Sequence, residues 1–203
     1  MTRKIVVVGL FAMLLAALPA MAQDEPRQEI SAQGTGFFTK DSTGNGIFQH
    51  STDTGGFVLS YRYHFNRWLA VDGSYGYARN TQQNFTSSSA FNVQTDVQQV
   101  TGALLVTAPR AVLGLHPYVL TGVGVLVFDP TGNSGGLVPG ATSQGRAAFV
   151  YGGGADYNFT RHLALRVEYR GFVYERPDFG LTALHSGATT HTAEPSAGIV
   201  FRF

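Results

Sequence analysis

The stretch Leu163-Ala-Leu-Arg-Val-Glu-Tyr-Arg-Gly-Phe-Val173 decides the fold. Its odd positions, Leu163, Leu165, Val167, Tyr169, Gly171 and Val173, are apolar or aromatic apart from one glycine. Its even positions include Arg166, Glu168 and Arg170. In an extended strand the two sets face opposite sides of the sheet. A half-buried strand of a soluble sheet has the same alternation, so the decision comes from repetition.

Phe57, Leu59, Tyr61, Tyr63 and Phe65 alternate with small and polar residues, as do Leu69, Val71, Gly73, Tyr75 and Tyr77. The same holds for Ala147, Phe149, Tyr151, Gly153, Ala155, Tyr157 and Phe159, and for Ala197, Ile199, Phe201 and Phe203. Each stretch is near the ten residues that a tilted membrane strand needs. A soluble sandwich turns its bulk inward. A narrow membrane barrel turns bulk to lipid and small or paired polar groups to the lumen. The spacing therefore predicts an all-β, closed antiparallel eight-stranded transmembrane barrel, with strands near 28–39, 54–65, 67–79, 93–108, 115–128, 145–158, 161–175 and 189–203. The faces of the first, fourth and fifth strands are ambiguous. Short connections alternate with segments 40–53, 80–92, 129–144 and 176–188, which are rich in Ser, Thr, Gly and Asn and read as extracellular loops.

Val100 to Phe128 is nearly apolar, but Pro109, Arg110, His116 and Pro117 at its centre break a helix there. Two strands and a turn explain it better. Tyr63, Phe65, Arg67, Leu69, Ala70 and Tyr75 recur 94 positions later as Tyr157, Phe159, Arg161, Leu163, Ala164 and Tyr169, so two hairpins are expected to be built alike.

Ahead of the strands, Arg3 and Lys4 precede an apolar run from Ile5 to Leu18, and Ala20-Met21-Ala22 is a small-x-small cleavage site. Residues 1–22 read as a signal peptide, cut after Ala22, and residues 23–203 as the barrel domain. Without Arg3 and Lys4 the chain holds 12 basic and 13 acidic residues, which offers nucleic acid no basic footprint. Charged residues make up 13% of the chain, against about 25% in a typical soluble domain. With no cysteine, disulfide, iron–sulfur and thiolate-zinc chemistry are excluded.

The turn Tyr63-His-Phe-Asn-Arg-Trp-Leu-Ala70, Pro117-Tyr118-Val119 with Gly122 and Gly124, and the final Phe203 resemble the small outer-membrane barrels of the OmpA-like, OmpX-like and opacity-protein type. The resemblance covers the chain after residue 22. It implies location in the Gram-negative outer membrane, contact with its lipid and lipopolysaccharide, and a monomer. It also implies that Ile199, Phe201 and Phe203 form the signal read by the barrel-assembly machinery. Pro195 lacks a ladder N–H, so a bulge or the effective start of the last strand is expected there.

By parity Arg62, Asp72, Asp156, Arg166, Glu168, Arg170, Glu194 and Arg202 point into the lumen, because arginine on the lipid face costs about 2–4 kcal/mol at midplane. Carboxylates interleaved with guanidinium groups suit an ion network better than acid–base catalysis. The six histidines show no metal-ligand spacing, and Gly152-Gly153-Gly154 lies in a strand rather than before a helix. No catalytic, cofactor or metal site is expected. The leading reading is a non-catalytic envelope barrel with its lumen closed by the ion network. The alternative is a surface adhesin that binds an extracellular ligand through the four loops. A lipid-modifying enzyme or a small pore stands behind both. If processing follows the Ala20–Ala22 motif, protein purified from membranes has the intact mass of residues 23–203; a mass that includes Met1 contradicts it.

Overall fold

The structure, a computed structural model, describes residues 26–40, 42–44, 47–51, 54–86, 89–131, 143–175 and 189–203, with 42–44, 47–51, 80–94, 130 and 131 described by backbone alone. The expected signal segment, with Ala20 and Ala22, lies outside these residues, as do the expected loop 176–188 and the centre of the loop at 129–144. Ten strands run in chain order: β1 Gln28–Thr39, β2 Ser42–Gly44, β3 Ile47–Ser51, β4 Thr54–His64, β5 Leu69–Thr86, β6 Ser89–Thr107, β7 Leu115–Thr131, β8 Gln144–Asn158, β9 Leu163–Glu175 and β10 Thr189–Arg202.

Eight of them close on themselves. The antiparallel order is β1-β4-β5-β6-β7-β8-β9-β10, and β10 pairs with β1 from Glu29↔Arg202 to Thr39↔Thr192. Outward positions carry Val71, Val100, Leu104, Val119, Val123, Val167 and Ile199, all well exposed. Lipid is the medium in which such a surface is stable, and closure leaves no unpaired edge within it. Among the described residues no helix is long and apolar enough to cross a membrane; the crossing is made by strands.

Tight turns join the strands at one end. The two hairpins of the 94-residue repeat have matching turns. Asn66 Oδ1 accepts from the backbone N–H of Trp68 and Leu69, and Thr160 Oγ1 accepts from His162 and Leu163. Tyr63–Phe65 and Tyr157–Phe159 pack edge-on with ring centroids 5.4 and 5.3 Å apart. Between β6 and β7, Val112 and Leu115 exchange both backbone hydrogen bonds around Leu113 and Gly114, whose φ values are 54° and 81°. Two left-handed residues suit the right-handed strand twist, and Gly114 takes that conformation without penalty.

At the opposite end the structure departs from expectation. Segment 80–92, read as a loop, is mostly strand: β5 and β6 stay in register from Leu69↔Val106 to Thr86↔Ser89. Within 40–53, β2 pairs with β3, and β3 pairs with β5 from Ser51↔Gln82 to Phe48↔Phe85. Outside the bilayer a strand needs no apolar face, so its ladder continues through Gln, Asn and Thr. At Pro195 neither a bulge nor a strand start occurs. β10 begins at Thr189, and the register Thr35↔Ser196 resumes unchanged as Phe38↔Ala193. The ladder to β1 skips two steps instead, where the Thr35 hydroxyl donates to the Pro195 carbonyl at 2.9 Å.

Candidate functional site: the ion network across the lumen

An eight-stranded barrel leaves an interior just wide enough for its own side chains. Arg62, Asp72, Asp156, Arg166, Glu168, Arg170 and Glu194 are buried there, and Arg202 is 16% exposed at the inner rim. β1 adds a fifth acid. Glu29, 1% exposed, pairs with Arg62 Nη1 at 3.3 Å, Arg166 Nη2 at 2.5 Å and Arg202 Nε at 2.9 Å, with His64 Nε2 at 3.6 Å.

Around this hub the other carboxylates bridge guanidinium groups from different strands. Asp72 accepts from Arg62 Nε at 3.2 Å and from Arg170 Nη2 at 3.0 Å. Asp156 takes a two-pronged pair from Arg166, Nε and Nη2 both at 2.8 Å, and a third bond from Arg202 Nη2 at 2.7 Å. Glu168 accepts from Arg170 Nε at 2.5 Å, from Arg62 Nη2 at 3.2 Å and from the Tyr118 hydroxyl. Arg166, its neighbour by sequence parity, turns instead to Glu29 and Asp156. Tyr118 also lies beneath two cations, with Arg62 Cζ 4.5 Å and Arg166 Cζ 5.5 Å from its ring centroid. Gly154 on the neighbouring strand leaves room for it, since a Cβ there would come within 2.7 Å of the Tyr118 oxygen.

Glu194 is held differently. Its hydrogen bonds come from Gln99 Nε2, at 2.7 and 2.8 Å to its two oxygens. β6 and β10 lie four strands apart in either direction around the ring, so this contact crosses the lumen. Gly76 makes the crossing feasible, because a Cβ there would sit 2.2 Å from Gln99 Nε2. Arg170 spans the same width from β9 to β5 and β6, donating to Ser74 Oγ at 2.5 Å and Thr101 Oγ1 at 3.2 Å.

Towards the outer end the lumen changes character. Phe37, Val97, Leu126, Phe128, Phe172 and Tyr174 are buried on the inner face, and the Phe128 and Tyr174 rings stand 5.7 Å apart. The expectation that the lumen holds only small and polar groups is corrected here. With no charge to pair, apolar bulk fills the outer half of the space. Glu29 and Tyr118 were also missed, because both lie on strands whose faces looked ambiguous. The signal was present at the first strand, where Glu29, Ser31, Gln33 and Thr35 alternate with Ile30, Ala32 and Gly34.

Chemically the network suits electrostatic bracing. Guanidinium does not give up its proton in proteins, and each of Glu29, Asp72, Asp156 and Glu168 is engaged by at least two arginines. Among the described residues no group of His, Cys, Asp and Glu is arranged to hold a metal ion.

A family model described as outer membrane protein beta-barrel domain matches residues 8–203. No curated protein matches the chain. The solved structures that share its fold include the following three. Ail, the attachment invasion locus protein of Yersinia pestis, in complex with the heparin analogue sucrose octasulfate, is 20% identical, with 89% of this chain and 100% of that one covered and a TM-score of 0.55. OprG of Pseudomonas aeruginosa is 15% identical, with 90% and 98% covered and a TM-score of 0.59. Neisserial surface protein A is 14% identical, with 87% and 97% covered and a TM-score of 0.59.

Removing one partner from such a network leaves charge buried without compensation, at a cost of about 3–5 kcal/mol. Glu29→Ala and Glu168→Ala should each destabilise the refolded barrel by that order, whereas Glu194→Gln, which keeps an amide contact to Gln99, should be far milder. Urea unfolding followed by heat-modifiable gel mobility measures this. Unchanged midpoints for both alanine variants would show that those carboxylates are solvated.

Proposed function

The chain belongs to the outer membrane protein beta-barrel domain family, and we propose that it is a non-catalytic outer-membrane protein that acts through its extracellular end, as an attachment protein. The observation that carries this reading is the sheet that outruns the barrel. β5 and β6 are 18 and 19 residues long, where about 9–11 span a membrane, and β2 and β3 extend the same sheet sideways. Beyond its last pairing with β4 at Ala78, β5 continues for eight residues, about 25 Å of chain. A barrel that only braced the envelope would not require this extension. Ail, whose name records attachment, has the same fold, and that likeness supports the reading without carrying it.

A second reading, the structural envelope barrel, is favoured by the ion network. The two are compatible if the network closes the lumen and the sheet above it does the binding. In this proposal the barrel works as a monomer among outer-membrane lipid and lipopolysaccharide. Residues 1–22 direct export and are removed after Ala22. Ile199, Phe201 and Phe203 are read by the assembly machinery during insertion; the rings of Phe201 and Phe203 stack 6.0 Å apart at the inner rim, which supports their acting as one signal.

Shortening the β5–β6 hairpin to a tight turn after Arg79 tests the choice. Outer-membrane levels should stay normal while attachment of expressing bacteria to epithelial monolayers and to one another falls to that of a strain without the protein. Full attachment by the shortened form, with envelope sensitivity to detergent as the only phenotype of deletion, would contradict the attachment reading.

A further inference from the structure

The projecting sheet has an unusual composition. From Asn80 to Gln94 eleven of fifteen residues are Asn, Gln, Ser or Thr, and none is charged. Ser42 to Ser51 likewise holds no Lys, Arg, Asp or Glu. Exposed strands are ordinarily protected from unwanted pairing by charged side chains, lysine above all. That protection is missing from β2 and from β6 before Gln94, the outer strands of the projection, and the sheet carries three aromatics. The register sets Phe48 opposite Phe85 across β3 and β5, and Phe91 opposite Asn84 across β5 and β6. Gln49 pairs with Asn84, His50 with Gln83, and Gln83 with Asn92. Phe48, His50, Gln83, Phe85 and Asn92 therefore share one face across three adjacent strands, while Phe91 shares the other with Gln49 and Asn84.

Resting on the attachment reading above, we propose that the β2–β3–β5–β6 sheet binds an uncharged saccharide on the face to which Phe48, Gln83, Phe85 and Asn92 belong. Sugar hydroxyls both donate and accept, and carboxamides, like the Ser and Thr hydroxyls beside them in sequence, offer both functions without charge. The C–H faces of a sugar ring are apolar and match the face of an aromatic ring. Ladder pairing fixes the backbone that carries these residues before the ligand arrives, which reduces the ordering cost of binding. A sulfated or otherwise anionic glycan does not fit, because recognition of a polyanion depends on Lys and Arg. Both strand segments lack them; of the described cations that flank them in sequence, Lys40 is a single exposed lysine before β2 and Arg79 is engaged by Asp96 at 2.7 Å. The heparin analogue held by Ail thus marks a difference in ligand chemistry between two proteins of one fold.

The test uses the full-length barrel refolded in detergent micelles and applied to immobilised neutral oligosaccharides of hexose and N-acetylhexosamine, beside heparin fragments and sialylated glycans. Neutral oligosaccharides should retain the protein, with little change between low and high salt, and heparin should not. Phe48→Ala and Phe85→Ala combined should weaken retention by roughly tenfold or more, Gln83→Ala alone should weaken it less, and Phe91→Ala on the opposite face should leave it unchanged. Heat-modifiable mobility shows that each variant is still a folded barrel. Retention only on anionic glycans, or none on any sugar, overturns the proposal. Attachment to cells that survives enzymatic removal of their glycans would also overturn it, pointing to a protein partner and leaving the attachment reading standing.

Discussion

The rest of the barrel depends on the burial of three guanidinium groups, those of Arg62, Arg166 and Arg170, in a lumen too narrow to hydrate them. Buried charge is tolerated only when its partners are close and its hydrogen bonds are met. Glu29 draws together arginines from β4, β9 and β10. Asp72 and Asp156 bring in β5 and β8, Tyr118 brings in β7, and Gln99 and Thr101 bring in β6. Every strand of the closed wall thus contributes a hydrogen-bonding group. The register follows from this, because a slip of one residue would send the charged set of a strand to lipid and its apolar set to the lumen.

The 94-residue repeat gains a further term inside the barrel. Arg62 pairs in register with Asp72, and 94 positions later Asp156 pairs in register with Arg166, so the same hairpin recurs with its charges exchanged. Were both copies alike in sign, cations would accumulate on one strand type and anions on the other. The exchange puts a cation and an anion from each hairpin into the same layer, and Glu29 bridges the two arginines. The turns below them have kept the same backbone-capping side chain chemistry, Asn66 in one and Thr160 in the other.

Much of this was legible in the residues. Where lipid faces one side and charge the other, as in β9, the alternation is strong and the inward set could be read by parity. Where both faces are weakly marked the period fades. β1 has Ala32, Gly34 and Gly36 towards lipid, and β7 has Gly122 and Gly124 in its inner row, so Glu29 and Tyr118 were passed over. The strands above the membrane were illegible for a different reason. Alternation reports a difference between two environments, and beyond Arg79 β5 is built mostly of Gln, Asn and Thr, which continue the ladder without a periodic signature. The outer lumen was misread because phenylalanine and tyrosine look alike to a parity rule whether they face lipid or fill a dry interior, as Phe172 and Tyr174 do.

Planar-bilayer recording of the refolded protein tests a closed lumen most directly. Charge pairing across the inner half, with apolar packing around Phe128 and Phe172 above it, predicts that the inserted barrel gives no steady current over the bare bilayer. Large, steady, porin-like currents from the wild-type protein would contradict it, because a continuous column of water cannot coexist with guanidinium and carboxylate groups paired across the diameter.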